Sequence, residues 1–403
     1  MTNTIIIVGA GQAGGWAAAT LRKEGYAGRV VLIGDEPHVP YERPPLSKAV
    51  LKGKAEPQHT HLMPADQFEA LDLDFRPSTR VTAIDPKHHE VELADGERIA
   101  YDKLILATGG AARTLPMPGG DLDGVLTLRT LDDAARLKER LTEGARVVVV
   151  GGGWIGLEVA ATAREAGADV VVVEAMPRLC QRSVPEVISD YLLRLHEGHG
   201  VEVRLGSGVQ QIAREGDGLR VELTDGTWLD ADTVVAGIGL TPHTELAEAA
   251  GLELDGGVVV GPDTRTSDPD IFAAGDVAVA ENPWVGRRIR LESWQNAQDQ
   301  GVAAAKAALG QDVRHEPLPW FWSDQYDVNL QLYGLSKPGH TQVVRGNPEE
   351  GTFLVFFLDG DKMVASMGPN GGRDLRTTKR IIERGIPVDP VALADSSVPL
   401  PKK

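Results

Sequence analysis

The chain has 403 residues, of which 42% are apolar and 25% charged, an ordinary globular composition that excludes extended disorder and collagen-like repeats. Its 41 basic and 58 acidic residues give a formal net charge of −17, which excludes a general nucleic-acid binder with a basic surface. At about 150 residues per domain, the length predicts two to three domains.

The sequence also indicates where the protein works. No apolar run reaches the roughly 18 residues of a membrane-spanning helix. No basic leader precedes the apolar run that begins at Ile5, so we expect a cytoplasmic protein without membrane contact. A single cysteine, Cys180, excludes an intrachain disulfide and any two-cysteine redox centre.

Residues 4–35 predict a strand–helix–strand unit. TIIIVGAGQAG (4–14) begins with a β-branched run typical of a buried strand and continues into an Ala-rich helix over 14–24. A second β-branched run, 29–33, leads to Asp35. Gly9, Gly11 and Gly14 have the dinucleotide-binding spacing, in which the second glycine lets a pyrophosphate approach the backbone. The following helix start attracts phosphate.

A strand-rich stretch comes next. The runs 81–84, 90–93 and 98–100 surround the turn signal Asp95-Gly96, and 103–106 leads into a further glycine turn. Four histidines have polar, loop-like neighbours and no partnering ligand set, so we predict no metal site; they are His59, His61, His88 and His89.

Residues 146–174 repeat the first design. RVVVVGGGWIG (146–156) carries Gly151, Gly153 and Gly156 in the same spacing, followed by a helix over 155–166 and a strand over 169–173 that ends at Glu174. A carboxylate there favours NADH, because it can accept from both ribose hydroxyls and would repel a 2′-phosphate. The neighbouring cations Arg178 and Arg182 leave NADPH open. Two such units predict two dinucleotides, one of which can pass electrons to the other.

The chain after residue 218 contains a second hairpin pattern, a candidate ligand at Asp276 and a C-terminal part without net charge. The run 218–223, the turn Asp225-Gly226 and the run 233–238 repeat the hairpin pattern, and DIFAAGDVA (270–278) predicts a strand that leads into a tight turn at Asp276. From residue 317 onward, ten basic and ten acidic residues balance, so the whole net charge lies before it. We expect three domains, the first of them split in sequence.

Seven segments in combination resemble one family. In chain order they are GAGQAG (9–14), PYERPPLSK (40–48), LILATGG (104–110), GGGWIGLE (151–158), AGIGLTP (236–242), AAGDVA (273–278) and PWFWSDQY (319–326). Over nearly its whole length the chain resembles the FAD- and NADH-dependent ferredoxin reductases of aromatic-ring dioxygenase and soluble haem monooxygenase systems.

The resemblance implies an α/β fold of the glutathione reductase type. Two Rossmann-like dinucleotide-binding domains are expected, an FAD domain formed by residues 1–110 and 239–316 and an NAD domain formed by 111–238. An α+β C-terminal interface domain is expected over residues 317–403.

The resemblance also implies the cofactor contacts. For FAD they are Gly9, Gly11, Ala13, Gly14, Asp35, Lys48, Val81, Arg129, Asp276 and Trp294; for NAD they are Gly151, Gly153, Ile155, Gly156, Glu158 and Glu174. Asp276 fits by chemistry too, because it follows Ala274-Gly275, where the chain can come close to a ligand, and its carboxylate can accept from ribityl hydroxyls. The alternative is a turn aspartate that caps the next helix.

Lys48 and Glu158 are the expected catalytic pair. The resemblance implies that the lysine lies close to flavin N5 and pairs with the glutamate. A cation beside the ring stabilises the negative charge of the reduced flavin, and the carboxylate can accept from the nicotinamide carboxamide. A solvated lysine and a surface acid at a helix start are the alternatives.

The cysteine content separates this chain from the disulfide reductases of the same fold, which place one or two reactive cysteines against the flavin. The matching stretch here, 44–48, has none, and Cys180 is expected to be a small buried filler. The resemblance therefore implies hydride transfer from NADH to FAD, then two single-electron steps to a separate 2Fe-2S ferredoxin. The chain itself lacks the cysteine ligands of an iron–sulfur cluster.

An acidic ferredoxin needs a local basic surface on this acidic chain. One candidate lies within 12 positions that predict a helix, and comprises Arg373, Arg376, Lys379, Arg380 and Arg384; a second comprises Arg287, Arg288 and Arg290. The alternative for the helix is a solvated face without a partner. Trp320 and Trp322 are expected near the flavin and the docking face, with core packing as the alternative.

Other functions share most of these motifs. A rubredoxin reductase and a monodehydroascorbate-type reductase are alternatives among enzymes. A non-catalytic, NADH-sensing flavoprotein and an oxidase that passes electrons to oxygen are alternatives of other classes.

Overall fold

The computed structural model describes residues 3–401 and divides into two compact units. The first unit contains residues up to 43 together with 57–111 and 241–319. The second unit contains residues 44–56, 112–240 and those from 320 onward. The division into FAD, NAD and interface domains at the boundaries given above stays a prediction.

The first unit is built on a five-stranded parallel sheet. Its strands, in spatial order, are Ile271–Ala273, Lys103–Leu106, Thr4–Val8, Arg29–Ile33 and Asp74–Arg76. Thr4–Val8 is buried throughout, as its unbroken β-branched sequence predicts for a central parallel strand. The strand order reverses beside Thr4–Val8, and in such sheets ligands bind at the carboxyl ends of the strands at this point. The first glycine loop lies there.

Two small sheets and several helices complete this unit. The strands of the small sheets are Val81–Asp85, Glu90–Leu93 and Arg98–Ala100, and then Val258–Val260, Ala278–Asn282 and Arg287–Ile289. The helices are Gln12–Lys23, Ala65–Glu69, Glu245–Ala249 and Trp294–Ala308, with 3₁₀ turns at Pro57–Thr60 and Gly275–Val277.

The second unit repeats the parallel sheet. Its strands, in spatial order, are Glu202–Leu205, Asp169–Glu174, Arg146–Val150, Thr233–Ala236 and Val125–Thr127. An antiparallel sheet consists of Val209–Glu215, Gly218–Leu223 and Trp228–Ala231, and the helices are Leu131–Arg140, Trp154–Glu165 and Glu186–Gly198. The order again reverses at the central strand, so the second glycine loop lies at the equivalent point.

The C-terminal part of the second unit is an antiparallel sheet. Its strands, in spatial order, are Trp320–Gln325, Val328–Gly334, Lys362–Pro369, Thr352–Asp359 and Thr341–Asn347. The remaining elements are the helices Gly372–Arg384 and Pro390–Ala394, the 3₁₀ turns Pro44–Ser47 and Pro348–Glu350, and the short strands Gly110–Ala112 and Leu240–Pro242 at the unit boundaries.

The predicted elements agree with the observed ones except at their ends. The helices predicted over 14–24 and 155–166 begin earlier, at Gln12 and Trp154, because the middle glycine of each loop is itself the helix N-cap. Among residues 3–401, no helix has the length and apolar character needed to cross a membrane.

Candidate active site

The first and third glycines of each loop are required by the packing of the protein itself. A Cβ on Gly9 would lie 2.1 Å from the carbonyl oxygen of Ala107, and one on Gly14 would lie 1.8 Å from the carbonyl oxygen of Gly9. In the second loop the corresponding distances are 2.5 Å from Gly237 O for Gly151 and 2.1 Å from Gly151 O for Gly156. Any side chain at these four positions would collide with backbone.

The middle glycine of each loop is different. A Cβ on Gly11 would have its nearest neighbour at 3.9 Å, a nitrogen of Arg43, and one on Gly153 would have Gly237 O at the same distance. Both residues are helix N-caps, and as glycines they offer no side chain to accept the first N–H groups of the helix. Room for a ligand and free helical N–H groups are what a pyrophosphate requires, and both loops therefore fit a dinucleotide.

Ala13 and Asp276 lie at adjoining parts of the first unit. A Cβ on Gly275 would be 3.0 Å from the Ala13 Cβ, and one on Gly301 would be 2.3 Å from the Ala13 carbonyl oxygen. Gly275, at φ +81°, begins the 3₁₀ turn that carries Asp276, and its N–H donates to Gln300 Oε1 over 2.9 Å. The structure thus brings together two of the predicted FAD contacts, although their role as ligands stays a prediction.

Arg43 is a candidate residue that the sequence reasoning missed. Its guanidinium lies over Gly11 and is held by Glu36 Oε1 at 2.7 Å and the Tyr41 hydroxyl at 3.0 Å. Burial opposes its charge, but Tyr41 and Glu36 outweigh burial and raise the pKa of Arg43. A fixed cation over a glycine loop is suited to a pyrophosphate. Its sequence signal is its place in PYERPPLSK, five residues before Lys48.

The other predicted FAD contacts are spread over both units. Asp35 is exposed after Arg29–Ile33, Val81 is buried at the start of Val81–Asp85, and Trp294 is the first residue of Trp294–Ala308. Lys48 and Arg129 belong to the second unit.

The acids after the two glycine loops do not occupy equivalent positions. Gly9 N–H donates to Ile33 O and Gly151 N–H to Val173 O, so Glu174 corresponds to Gly34 and not to Asp35. A Cβ on Gly34 would lie 2.6 Å from the Ala10 Cβ, so the first loop has no room for an acid there. The sequence pattern predicts equivalent positions for Asp35 and Glu174, but in the structure Asp35 lies one residue beyond the position equivalent to Glu174.

Glu174 is held over the second loop. Its carboxylate accepts from Gly152 N–H at 2.6 Å and from Met176 N–H at 2.7 Å. Ile155 and Met176, beside this loop, are exposed apolar side chains, 45% and 40% accessible. Such exposure next to a phosphate-binding loop fits an adenosine contact.

One face of the helix Trp154–Glu165 gathers the candidate catalytic residues. Trp154, Glu158 and Thr162 recur every four residues and so point in one direction. Trp154 packs on Phe321 with ring centroids 5.2 Å apart, and the Thr162 hydroxyl donates to Ser47 O at 2.8 Å. The second contact holds the turn Pro44–Ser47 and therefore places Lys48.

Glu158 is a buried carboxylate with every oxygen occupied. It is 2% exposed, and its Oε2 accepts from Lys48 Nζ at 2.7 Å and from the Ser47 hydroxyl at 2.5 Å. Its Oε1 accepts from the Ser323 hydroxyl at 2.6 Å. The predicted pair is thus formed, and the alternatives of a solvated lysine and a surface acid do not describe it. Ser47 and Ser323 lie in the segments PYERPPLSK and PWFWSDQY but were missed, because a serine within a motif does not indicate which distant carboxylate it contacts.

Cys180 lies in the second unit, buried beside Gly152. Burial, with Glu174 and Glu158 nearby, strongly raises the pKa of its thiol, so it stays protonated and unreactive. This matches the expected filler and leaves no thiol for electron transfer in the described residues.

Most of the chain matches two known families. Residues 3–301 match the family described as pyridine nucleotide-disulphide oxidoreductase, and residues 320–403 match the reductase C-terminal family. The chain belongs to the pyridine nucleotide-disulphide oxidoreductase family. Its predicted resemblance, α/β fold class and FAD and NAD cofactors are confirmed.

Relatives extend this match over the full length. The chain is 44% identical to the ferredoxin–NAD(+) reductase component of an anthranilate 1,2-dioxygenase system from Burkholderia cepacia, over 98% of both chains. It is 40% identical to putidaredoxin reductase from Pseudomonas putida, over 99% of this chain and 96% of that one. The solved covalent complex of putidaredoxin reductase with putidaredoxin superposes with a TM-score of 0.94 at 40% identity, over 98% and 97% of the chains.

The two kinds of glycine can be told apart by substitution. Gly153→Ala should change the melting temperature little, because its Cβ meets no protein atom closer than 3.9 Å, but should weaken NADH binding about ten-fold or more through a clash with the pyrophosphate. Thermal melts and NADH titration measure both. The control Gly156→Ala should lose stability first, because its Cβ would lie 2.1 Å from backbone. Unchanged NADH affinity in Gly153→Ala would contradict the assignment.

Proposed function

We propose that this chain is a reductase that takes electrons from NADH and passes them, through FAD, to a 2Fe-2S ferredoxin serving an oxygenase. The observation that carries the proposal is the buried Lys48–Glu158 pair beside the second glycine loop, together with a single, inert cysteine. When bound, FAD takes two electrons as a hydride from NADH and gives them up singly, as a one-electron acceptor needs. The ferredoxin–NAD(+) reductase components among the relatives support a ferredoxin as this acceptor.

Lys48 and Glu158 provide a fixed cation where negative charge develops. Glu158 keeps the ammonium in place, because a buried carboxylate and an ammonium 2.7 Å apart hold each other in low dielectric. The lysine side chain keeps 18% of its surface exposed, so it can face a bound ring while its partner is covered. Such prearranged charge lowers the barrier without reorganisation during the reaction.

Other side chains hold the cofactors. For FAD we assign the pyrophosphate to the first glycine loop and Arg43, and the ribityl hydroxyls to Asp276. For NAD we assign the pyrophosphate to the second loop and the ribose to Glu174. Arg178 donates to the Ser189 hydroxyl at 2.7 Å and is thereby engaged away from a 2′-phosphate, which favours NADH.

The helix Gly372–Arg384 is the proposed docking surface. It buries Leu375, Thr378, Ile381 and Ile382 and exposes all five of its predicted cations. Within residues 3–401, only Lys379 of these cations pairs with an acid, Glu383 at 3.8 Å. In the second candidate cluster, Arg288 is surrounded by Glu253, Asp255 and Glu281. Unneutralised charge therefore favours the helix as the site that attracts an acidic partner.

Trp320 and Trp322 are stacked with ring centroids 5.0 Å apart and are partly exposed. Both belong to the second unit, as does the docking helix. We propose that these rings belong to the face that meets the ferredoxin, and that the reaction takes place in the cytoplasm.

Reduction of cytochrome c by NADH, with 2Fe-2S ferredoxins, rubredoxins or no carrier, tests the proposed function. We expect turnover only with a ferredoxin, and kcat/KM about ten-fold or more higher for NADH than for NADPH, since Glu174 repels a 2′-phosphate. A ratio below one overturns the NADH assignment. Turnover with rubredoxin, rapid peroxide formation without a carrier, or slow flavin reduction with a long-lived charge-transfer band would instead identify one of the alternative functions.

Lys48→Met should slow flavin reduction by NADH about 100-fold, the scale of losing one prearranged electrostatic donor. It should also cost about 3–5 kcal/mol of stability, because Glu158 is left buried and unpaired. Stopped-flow absorbance and thermal melts measure the two effects. Lys48→Met combined with Glu158→Gln should regain stability and stay slow.

Lys52→Met is the matched control for that substitution. Lys52 Nζ lies 2.6 Å from Oε2 of Glu165, which is on the same helix as Glu158, but the side chains of Lys52 and Glu165 are both partly exposed. We expect a stability change within about 1 kcal/mol and normal flavin reduction. An unchanged reduction rate in Lys48→Met would count against the catalytic role.

Arg376→Glu with Arg380→Glu should slow reduction of ferredoxin about ten-fold or more at low ionic strength, with the difference fading as salt is added. Flavin reduction by NADH should be unchanged. The control Arg136→Glu with Arg140→Glu alters the same net charge at the same helical spacing on Leu131–Arg140. If both double variants slow ferredoxin reduction alike, overall charge and not this surface is responsible.

A further inference from the structure

A chain of hydrogen bonds leads from the turn between two C-terminal strands to Glu158. Its links are Tyr326 Oη to His196 Nδ1 at 3.4 Å, His196 Nε2 to Gln325 Oε1 at 2.8 Å, Gln325 Nε2 to Ser323 Oγ at 3.0 Å, and Ser323 Oγ to Glu158 Oε1 at 2.6 Å. Ser323, Gln325 and His196 are buried, the first and last with no exposed surface. All five residues belong to the second unit.

The strand Trp320–Gln325 packs on the helix Trp154–Glu165, and the spacing of the contacting residues along the two elements is nearly equal. Four residues of helix rise about 6 Å, and two residues of strand about 6.6 Å. Phe321 and Ser323 can therefore face Trp154 and Glu158 in turn, as the ring contact and the hydrogen bond show. The position of Ser323 is set by this alignment.

The direction of the two links nearest Glu158 follows from the charge of Glu158 in its ion pair with Lys48. An ionised carboxylate only accepts hydrogen bonds, so the single hydroxyl proton of Ser323 must point at Glu158. Ser323 then has only lone pairs for Gln325, so the side chain of Gln325 must present its NH₂ group there. Its carbonyl oxygen consequently faces His196.

The same reasoning fixes the tautomer of His196. Burial lowers the pKa of His196 to about 4, so the ring is neutral at pH 7. Since Gln325 Oε1 only accepts, the proton of His196 must be on Nε2, and Nδ1 must accept from Tyr326. Burial raises the pKa of Tyr326, so the phenol keeps its proton and can donate. Every donor in the chain thus points toward Glu158.

Tyr326 is held in place at some cost. Its φ of +56° is unusual for a residue with a Cβ. Its ring stacks on the ring of His199, with the two ring centroids 3.6 Å apart. Such a conformation persists only where its surroundings enforce it. The amide of Gln325 does not readily relay protons, so the chain orients groups and does not conduct.

We propose that Ser323 is a positioning residue for the reaction proposed above: oriented by Gln325 and His196, it holds Glu158 Oε1 so that Oε2 stays on Lys48. Without its hydroxyl, the carboxylate can rotate about its last bond and the ammonium loses its fixed position. The inference rests on the proposed function for its kinetic consequence, but the direction of the chain can be tested separately.

NMR of ¹⁵N-histidine-labelled protein tests the direction. The wild type should show His196 with its proton on Nε2. In Glu158→Gln, Lys48 and Ser47 still need an acceptor at the Oε2 position, so the new NH₂ group faces Ser323. Ser323 must then donate to Gln325, whose amide turns over, and the His196 proton moves to Nδ1. A wild-type ring protonated on Nδ1, or a tautomer unchanged in Glu158→Gln, overturns the proposal.

Stopped-flow reduction of bound FAD by NADH tests the consequence. Ser323→Ala should lower the limiting rate about ten-fold, the scale of one hydrogen bond to a charged group, with little change in the apparent Kd for NADH. The control is Ser366→Ala, whose hydroxyl is equally buried in the same sheet but bonds to Thr378. It should keep the wild-type rate. Equal rates in wild type and Ser323→Ala, or equal losses in both variants, contradict a positioning role.

Failure of this inference can be distinguished from failure of the proposed function. If the wild type reduces no ferredoxin, the function fails, while the tautomer and the flavin reduction rate still report on Ser323. If ferredoxin is reduced and Ser323→Ala behaves as the wild type, only the inference fails.

Discussion

The second unit depends on one buried charge. A carboxylate moved from water into the interior costs several kcal/mol unless it is paired and hydrogen-bonded. Glu158 meets this condition only when residues 44–48, its own helix and the strand Trp320–Gln325 are all in place. Three segments distant in sequence must therefore fold together before the charge is stabilised, and this couples the C-terminal sheet to the candidate catalytic pair.

The two glycine loops show how little separates two dinucleotide sites. In both, the outer glycines satisfy backbone packing and the middle glycine leaves room for a ligand. The two loops differ at the residue after the first glycine and at the residue that faces it. In the first loop Ala10 faces Gly34, whereas in the second loop Gly152 faces Glu174. The Cβ of Ala10 leaves no room for a side chain at position 34, whereas Gly152 leaves room for Glu174. Alanine or glycine after the first glycine therefore decides whether a carboxylate lies over the loop.

The sequence could predict features that a local pattern encodes. The loops and their strands lie in motifs with fixed spacing, and the structure forms them. The pair Lys48–Glu158, 110 positions apart, was expected only from the resemblance to a family, and the structure forms it too. Ser323 and His196 could not be predicted, because their partners are 165 and 129 positions away and a single serine or histidine follows no period. The sequence also did not reveal that Asp35 lies one residue beyond the position equivalent to Glu174. The hydrogen bonds of the strands align the two units, and Asp35 lies in the turn after its strand, where this alignment does not fix its position.

The lone, inert cysteine gives this network its importance. Disulfide reductases of this fold place one or two reactive cysteines against the flavin, and the stretch 44–48 has none. Cys180 stays protonated, and in the proposed function the charge beside the flavin is the ammonium of Lys48. An ammonium on a four-carbon stem is mobile unless something fixes it. The fixing is done by a carboxylate that is itself held at both oxygens. Serine hydroxyls and an amide, none of which titrates near pH 7, thus fix the Glu158 carboxylate, and with it the ammonium of Lys48, by hydrogen bonding.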